Sequence, residues 1–556
     1  MMYRLSNILI FLFSTVLISS CSIQKPFKTF PDLTGIENID TLRVQHNDSL
    51  FSIGKNTLLK NEYGIWELYL EGNALERGLK GGSLTRELMH IQEEAIMSKI
   101  QSLVPKEGYQ KFLKKVVAFF NRKLYLHVTE EYKAEIYGVS RFALEKDDNF
   151  ASSYLQSLYL HGAHDIGHAL QDLMLVGCTS FAAWDSKTQD GQLMLGRNFD
   201  FYVNDEFARE KIVAFINPEK GHKFMMYTWG GMIGAVSGMN EKGLSVTINA
   251  GKSNIPLMAK TPISLVAREI LQYAETTVEA IEIAKKKEVF VSEAIMIGSA
   301  REQKALLIEV SPRNFGVYEV ENADELICSN HFQSAEYTGD RRNLKTIEES
   351  HTQYRFDRME ELLSQNDKLT PDKAAAILRN TEGLEGSKLG YGNEKAINQL
   401  LAHHGILFKP DARKVWVSAN PYQLGAFVAY DLVAAFQKFE QGNVAESVAD
   451  IAESIPEADF VNSKEFRDYE KFRKLNEEIK YAISSEENIS EKKLDQLILL
   501  NPYYWKAYSM AGQYYFQKRN FRKAVIYFKQ ALHREVPTSL DEQYLEKMIK
   551  KSYRKL

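Results

Sequence analysis

The sequence predicts an α+β or layered αββα architecture. Short strand-like runs crowd the middle of the chain: Gln192–Leu195, Ile212–Ile216, Leu244–Ile248, Leu306–Val310 and Val415–Val417. Helical runs are interspersed, including Ser264–Glu275 and Tyr354–Ser364. Longer amphipathic stretches precede them, Leu84–Val104 and Tyr109–Phe120, and a second helical region follows Phe436. Apolar residues at three- and four-residue spacing mark helices, whereas short alternating or apolar runs mark strands.

Five segments follow. Residues 1–21 are an export signal, and 22–60 a polar linker with an initial strand. Residues 61–177 are mainly helical, with Gly72, Gly78, Gly81 and Gly82 punctuating an opening turn. Residues 178–435 form the strand-rich core and 436–556 a helical module. With 556 residues, 44% hydrophobic and 26% charged, the chain is long enough for two or more buried cores. A net charge of −4 and the lack of a Lys/Arg stripe interleaved with aromatics give no reason to expect nucleic acid.

The export signal has Arg4 as its positive region and an apolar stretch from Ile8 to Ile18. That stretch has the length of a signal h-region and is marginal for a membrane span. It closes with Leu17-Ile18-Ser19-Ser20-Cys21, which resembles the bacterial lipobox. Cleavage before Cys21 and lipidation of its thiol would tether the protein to a membrane of the bacterial cell envelope, facing the periplasm; the alternative is an uncleaved signal anchor. Three cysteines are too few for a disulfide framework. Cys328, in Leu326-Ile327-Cys328, reads as a buried strand residue.

Near the C-terminus Trp505, Tyr508, Gly512, Tyr515, Ala524, Tyr527, Ala531 and Pro537 fit the tetratricopeptide spacing. A docking platform for a protein partner and a helical cap on the core are both open readings of this one clear repeat. His161, His164 and His168, with Asp165, fall near one helix face. No second set completes a metal site, which leaves polar packing as the favoured reading. No metal or cofactor is implied.

The chemistry centres on Gly177-Cys178-Thr179-Ser180-Phe181, followed by Gly196-Arg197-Asn198-Phe199-Asp200 and Ser237-Gly238-Met239-Asn240-Glu241-Lys242-Gly243-Leu244. Cutting before Cys178 would give one residue both a thiol and a free α-amine. These motifs resemble the N-terminal nucleophile (Ntn) hydrolases, chiefly the acyl-coenzyme A:6-aminopenicillanic acid acyltransferase family (peptidase family C45). Choloylglycine hydrolases and acid ceramidases are more distantly similar. The resemblance covers roughly residues 60–435. It implies a four-layer αββα sandwich with the nucleophile starting an inner strand, and self-cleavage at Gly177–Cys178 that leaves residues 61–177 as an associated helical pro-segment.

Carried over by position, the resemblance gives Asp200 the task of orienting the α-amine. It has Arg197 favour the thiolate and position Asp200 or the substrate. Asn249 matches an oxyanion donor, Asn330 a group that orients the nucleophile or oxyanion, and Arg355 a late arginine of the set. A terminal amine with a pKa of about 8 is a fitting base for a thiol with a pKa of about 8.5. The expected activity is cleavage or transfer of the acyl group of a small N-acyl amide or thioester through an acyl-Cys178 intermediate. Phe201–Phe207, Met225–Trp229 and Leu257 are the expected pocket, apolar enough for an acyl chain. The rival readings are a catalytically inert scaffold that binds partners through the helical repeat, and a purely proteolytic enzyme.

Overall fold

The computed structural model describes residues 30–33, 39–104, 106–144, 152–162, 177–254, 256, 258–401, 403–442 and 446–556. Two sheets stack face to face. The larger has eleven strands, and its central part runs Trp66–Gly72, Ile212–Pro218, Phe224–Thr228, Ser237–Asn240, Leu244–Ala250, Glu293–Ser299 and Lys304–Val310. The smaller has seven, in spatial order Glu325–Cys328, Thr179–Ala183, Met194–Phe199, His404–Lys409, Lys414–Ser418, Phe427–Asp431 and Asp450–Ile455.

Side-chain alternation sets the layers. Ile212, Ala214 and Ile216 face helices on the outside of the large sheet, while Val213 and Phe215 face the small sheet. Ile406 and Phe408 meet them from across the sandwich, and Leu407 points the other way. There it packs with Met359 of the Thr352–Ser364 helix and Leu378 of the Pro371–Leu378 helix. The result is the layered αββα arrangement.

Three sequence expectations change. Residues 44–60 form three strands rather than a linker with one strand, and the small sheet extends beyond 435 through Asp450–Ile455. Gly78, Gly81 and Gly82 lie inside the Ala74–Leu84 helix, not in a turn. The reason is close helix packing: a Cβ on Gly78 would lie 2.1 Å from the Glu135 carbonyl oxygen of the Glu130–Ser140 helix.

The segment before Cys178 is built into the core. Its Trp66–Gly72 strand pairs in parallel with Ile212–Pro218, from Trp66 opposite Ile212 to Gly72 opposite Pro218. Above this join Glu135 is buried between two arginines, with Arg77 at 2.6 Å and Arg268 at 3.3 Å. Arg77 also donates to the Gly72 carbonyl at 2.7 Å and Arg268 to the Ile233 carbonyl at 2.7 Å. Arg77 and Glu135 lie before Cys178 and Arg268 after it, so the network spans the proposed cut.

Beyond the sandwich, helices Lys464–Ser484, Glu491–Leu500, Trp505–Gln517, Phe521–Leu532 and Ser539–Tyr553 enclose their own core. Gly512 is needed there, because a Cβ would sit 2.8 Å from the Phe528 ring. Tyr469 donates to the Leu400 carbonyl at 3.2 Å, and Arg473 pairs with Asp205 at 2.7 Å, seating the module on the sandwich. No helix among the described residues is long and apolar enough to cross a membrane.

Replacing Glu135 with Gln leaves two buried guanidiniums without their carboxylate. The expected loss is about 3–5 kcal/mol, read as a lower urea midpoint; an unchanged midpoint would show that the network contributes nothing.

Candidate active site

Cys178 stands at the head of the Thr179–Ala183 strand, fully buried between the sheets at one end of the sandwich. Its Sγ lies 3.6 Å from Arg197 Nη2. Arg197 comes from the neighbouring strand, where Leu195 and Arg197 alternate inward while Asn198 turns out to bond the Leu378 and Ile397 carbonyls at 2.7 and 3.0 Å. The guanidinium bridges the sheets: Nη1 donates to the Val236 carbonyl at 3.1 Å and Ser237 Oγ at 2.7 Å, and Nη2 donates to the Ile248 carbonyl.

The peptide bond before Cys178 is held on both sides. The Gly177 amide donates to the Asp200 carbonyl at 3.3 Å, and the Gly177 carbonyl accepts from Gln399 Nε2 at 3.1 Å. Arg355 Nη1 donates to the Cys178 carbonyl at 2.7 Å and to Thr179 Oγ1. A Cβ on residue 177 would fall 2.4 Å from Gln399 Nε2. Glycine at 177 therefore lets the Gln399 amide reach the carbonyl.

The other expected residues gather here with differing contacts. Arg355 Nη2 donates to Asn330 Oδ1 at 2.6 Å, and Asn330 Nδ2 donates to the Ala250 carbonyl at 2.9 Å. Asn330 thus steadies the arginine that holds Cys178. Asn249 accepts from Ser180 Oγ at 2.9 Å and donates to the Cys328 carbonyl at 3.1 Å, tying the sheets beside the thiol. Cys328 is buried and unoxidised, as is Cys178.

Burial dominates the electrostatics. It pushes the Cys178 thiol pKa up against the opposing pull of Arg197, so the thiol of the intact chain stays protonated. Burial also pushes Asp200 up to about 7, against Arg355, Gln423 and Arg197. Gln423 Nε2 reaches Asp200 Oδ1 at 3.4 Å, while Asp200 Oδ2 has no partner among the described residues. A carboxyl poised near neutrality with one oxygen unspent is suited to take a proton from the thiol or to hold an ammonium.

Around the thiol, Phe199, Phe201, Phe207 and Trp229 form an aromatic cluster with ring centroids 5.3–6.4 Å apart. Of the other pocket candidates, Met225 instead fills the core between the sheets. Tyr227 bonds the Ser418 carbonyl at 2.8 Å. Leu257, Cys21, His164, Asp165 and His168 lie outside the described residues. His161 spends both ring nitrogens, on the Ser157 carbonyl at 2.8 Å and the Ile233 amide at 3.1 Å, and burial pulls its pKa to about 4. Both contacts are packing contacts.

Sequence reasoning did not single out Gln399, or His404, whose Nε2 lies 3.0 Å from Ser237 Oγ. The tandem His403-His404 ahead of the apolar run Ile406–Phe408 was a readable signal; Gln399 offered none.

Because the folded pKa of Asp200 is raised from 3.8 to about 7, the intact chain loses stability as pH rises through that window. Asp200→Asn removes that slope. With Cys178 replaced by Ala in both proteins to keep the chain intact, the variant should gain on the parent by up to about 1.4 kcal/mol per pH unit. Parallel urea midpoints across the window would contradict this.

The chain is similar to several known proteins. A model of the acyl-coenzyme A:6-aminopenicillanic acid acyl-transferase family matches residues 186–421, starting downstream of Cys178. An uncharacterised protein of Archaeoglobus fulgidus is 27% identical over 278 residues, 46% of this chain and 45% of the relative. Protein dcd1B of Dictyostelium discoideum is 23% identical over 279 residues, 48% of this chain and 53% of the relative. The chain thus spans about half the length of these curated relatives. Three solved structures are also similar. One is a Caenorhabditis elegans ortholog of N-acylethanolamine-hydrolyzing acid amidase, with 19% identity, TM-score 0.31, and 42% of this chain and 93% of the other covered. A conjugated bile acid hydrolase of Clostridium perfringens has 15% identity, TM-score 0.30 and coverages of 44% and 89%. Penicillin V acylase of Agrobacterium tumefaciens has 14% identity, TM-score 0.30 and coverages of 44% and 83%. Residues 186–421, which lie in the layered-sheet core, are thus similar to the acyl-coenzyme A:6-aminopenicillanic acid acyl-transferase family.

Proposed function

We propose that the protein is a self-processing cysteine amidohydrolase or acyltransferase acting on small N-acyl amides. The observation that carries this reading is the Gly177–Cys178 bond, with its carbonyl on Gln399 and the attacking thiol's own carbonyl on Arg355.

Processing begins with Cys178 Sγ attacking the Gly177 carbonyl carbon. Negative charge develops on the oxygen that Gln399 Nε2 already touches. The C–S bond forms, the C–N bond breaks, and the thiol proton passes by way of Asp200 to the departing Cys178 nitrogen. Water then hydrolyses the thioester, giving a Gly177 carboxylate and a Cys178 that carries both thiol and α-amine.

In turnover the α-amine, held by Asp200 Oδ2, takes the thiol proton as Sγ attacks the substrate carbonyl. The amine product leaves with that proton, and water or an acceptor amine releases the acyl group. Phe199, Phe201, Phe207 and Trp229 favour an apolar acyl chain. The Leu17–Cys21 motif supports lipid anchoring in a bacterial envelope, and the Trp505–Leu532 helix pair supports a docking role for the C-terminal module.

Cys178→Ala should abolish both processing and turnover, and Cys178→Ser should process slowly. The readouts are gel mobility and amine release from a panel of N-acyl amides, with hydroxylamine trapping of the acyl group. Turnover retained in the Ala variant refutes the assignment. Gln399→Leu should slow processing by about 10²–10³-fold, the worth of one oxyanion donor; processing at the wild-type rate would remove Gln399 from the mechanism.

A further inference from the structure

Two buried nitrogens at the Cys178 end of the sandwich have no hydrogen-bond partner among the described residues. Lys211 is 1% exposed, and its Nζ has no hydrogen-bond partner among the described residues. It directly precedes the Ile212–Pro218 strand and shares the face of Val213 and Phe215, which points between the sheets. Ile212 pairs with Thr228 and His404 with Phe199, so Lys211 and the histidines sit at the same end of the sandwich as Cys178.

The second donor follows from the hydrogen-bond chain. Arg197 only donates, so the Ser237 hydroxyl that accepts from it has its hydrogen available for His404 Nε2, 3.0 Å away. Burial keeps both histidines neutral. When that hydrogen is directed to His404 Nε2, the His404 proton lies on Nδ1 and is donated to His403 Nδ1 at 2.8 Å; the opposite tautomers make His403 Nε2 an acceptor. In the first arrangement the His403 proton is on Nε2, which is buried without a partner among the described residues. Lys211 is near enough to His403 for its charge to disfavour the imidazolium more than any other neighbouring group does. Burial pulls Lys211 down to about 7, with no carboxylate among the described residues opposing it. The walls are aromatic: Trp229 and Phe207 lie 5.4 and 5.6 Å from His403, and Tyr227 lies 4.6 Å from His404.

We infer that Lys211 Nζ and His403 Nε2 form a subsite for a carboxylate carried by the substrate, across the aromatic cluster from Cys178. This rests on the proposed amide chemistry and narrows it: the preferred substrate is an N-acyl amide with an apolar body and an anionic end. A buried ammonium beside an imidazole N–H is satisfied by an oxyanion and by little else. The carboxylate can belong to the amine half or to the acyl half of the amide.

The test uses matured full-length protein and two matched pairs. N-octanoylglycine against N-octanoylethanolamine places the carboxylate on the amine half. The mono-p-nitroanilide of adipic acid against hexanoyl p-nitroanilide places it on the acyl half. In one pair the carboxylated member should have a kcat/KM about ten- to hundredfold above its neutral partner, carried by KM. Lys211→Met should bring that ratio close to one, and Lys211→Gln should leave it in between. Folding is not at risk, because Lys211→Met removes an uncompensated buried amine, so its thermal midpoint should not fall. Calorimetric binding of the four compounds separates the two claims. Carboxylate-selective binding that Lys211→Met abolishes, without Cys178-dependent amine release, upholds the subsite and sinks the catalysis. Cys178-dependent hydrolysis with no carboxylate preference in either pair does the reverse. A preference that survives in Lys211→Met also overturns the subsite.

Discussion

Everything around Cys178 depends on burying a guanidinium between two sheets. Arg197 is fully buried, and a cation there is tolerable only if most of its donors are spent. Carbonyls of Val236 and Ile248 and the hydroxyl of Ser237 take three of its Nη hydrogens from the opposite sheet, and the Cys178 sulfur lies within reach of the fourth, while Nε has no partner among the described residues. One residue therefore fixes the spacing of the two sheets and the position of the nucleophile. Arg355 repeats the device on the helical side, gripping the Cys178 carbonyl, Thr179 and Asn330. A rigid backbone at the nucleophile is the consequence, since both guanidiniums would be left unsatisfied by a shifted strand.

The intact chain is electrostatically quiet. Its thiol is protonated and its nearby carboxyl hovers near neutral pH because burial outweighs the two arginines. Cleavage would place an α-amine, a stronger base than a carboxylate, beside both. The same site then has different chemistry before and after the bond is broken: a carboxyl-assisted attack on its own backbone first, an amine-assisted attack on substrate afterwards. The parallel pairing of Trp66–Gly72 with Ile212–Pro218 and the Arg77–Glu135–Arg268 network span the break, so the architecture does not rely on the bond it would lose.

Much of this was legible in the sequence because it is local. Cys178, Arg197 and Asp200 lie in or directly beside two adjacent strands, and short apolar runs marked the sandwich correctly. Arg355 and Asn330 were placed by resemblance, and the structure brings them to the Cys178 backbone. What was not legible depends on distant positions meeting. Gln399 reaches Gly177 across 222 positions, and no local pattern announces such a contact. Lys211 looked like an ordinary charged residue before a strand until its partners could be sought. The glycines of the Ala74–Leu84 helix read as turn residues, because composition cannot reveal a neighbouring helix close enough to exclude a Cβ. The early strands at 44–60 are only four or five residues long, and they become strands by pairing in series onto the Trp66–Gly72 strand.

The central claim is that Cys178 becomes a chain terminus. Sequencing the free N-termini of the purified wild-type protein tests it directly. The account predicts a chain beginning Cys-Thr-Ser-Phe, recovered together with the chain that ends at Gly177. Recovery of a single uncut chain, or of a terminus at any other bond, would contradict it.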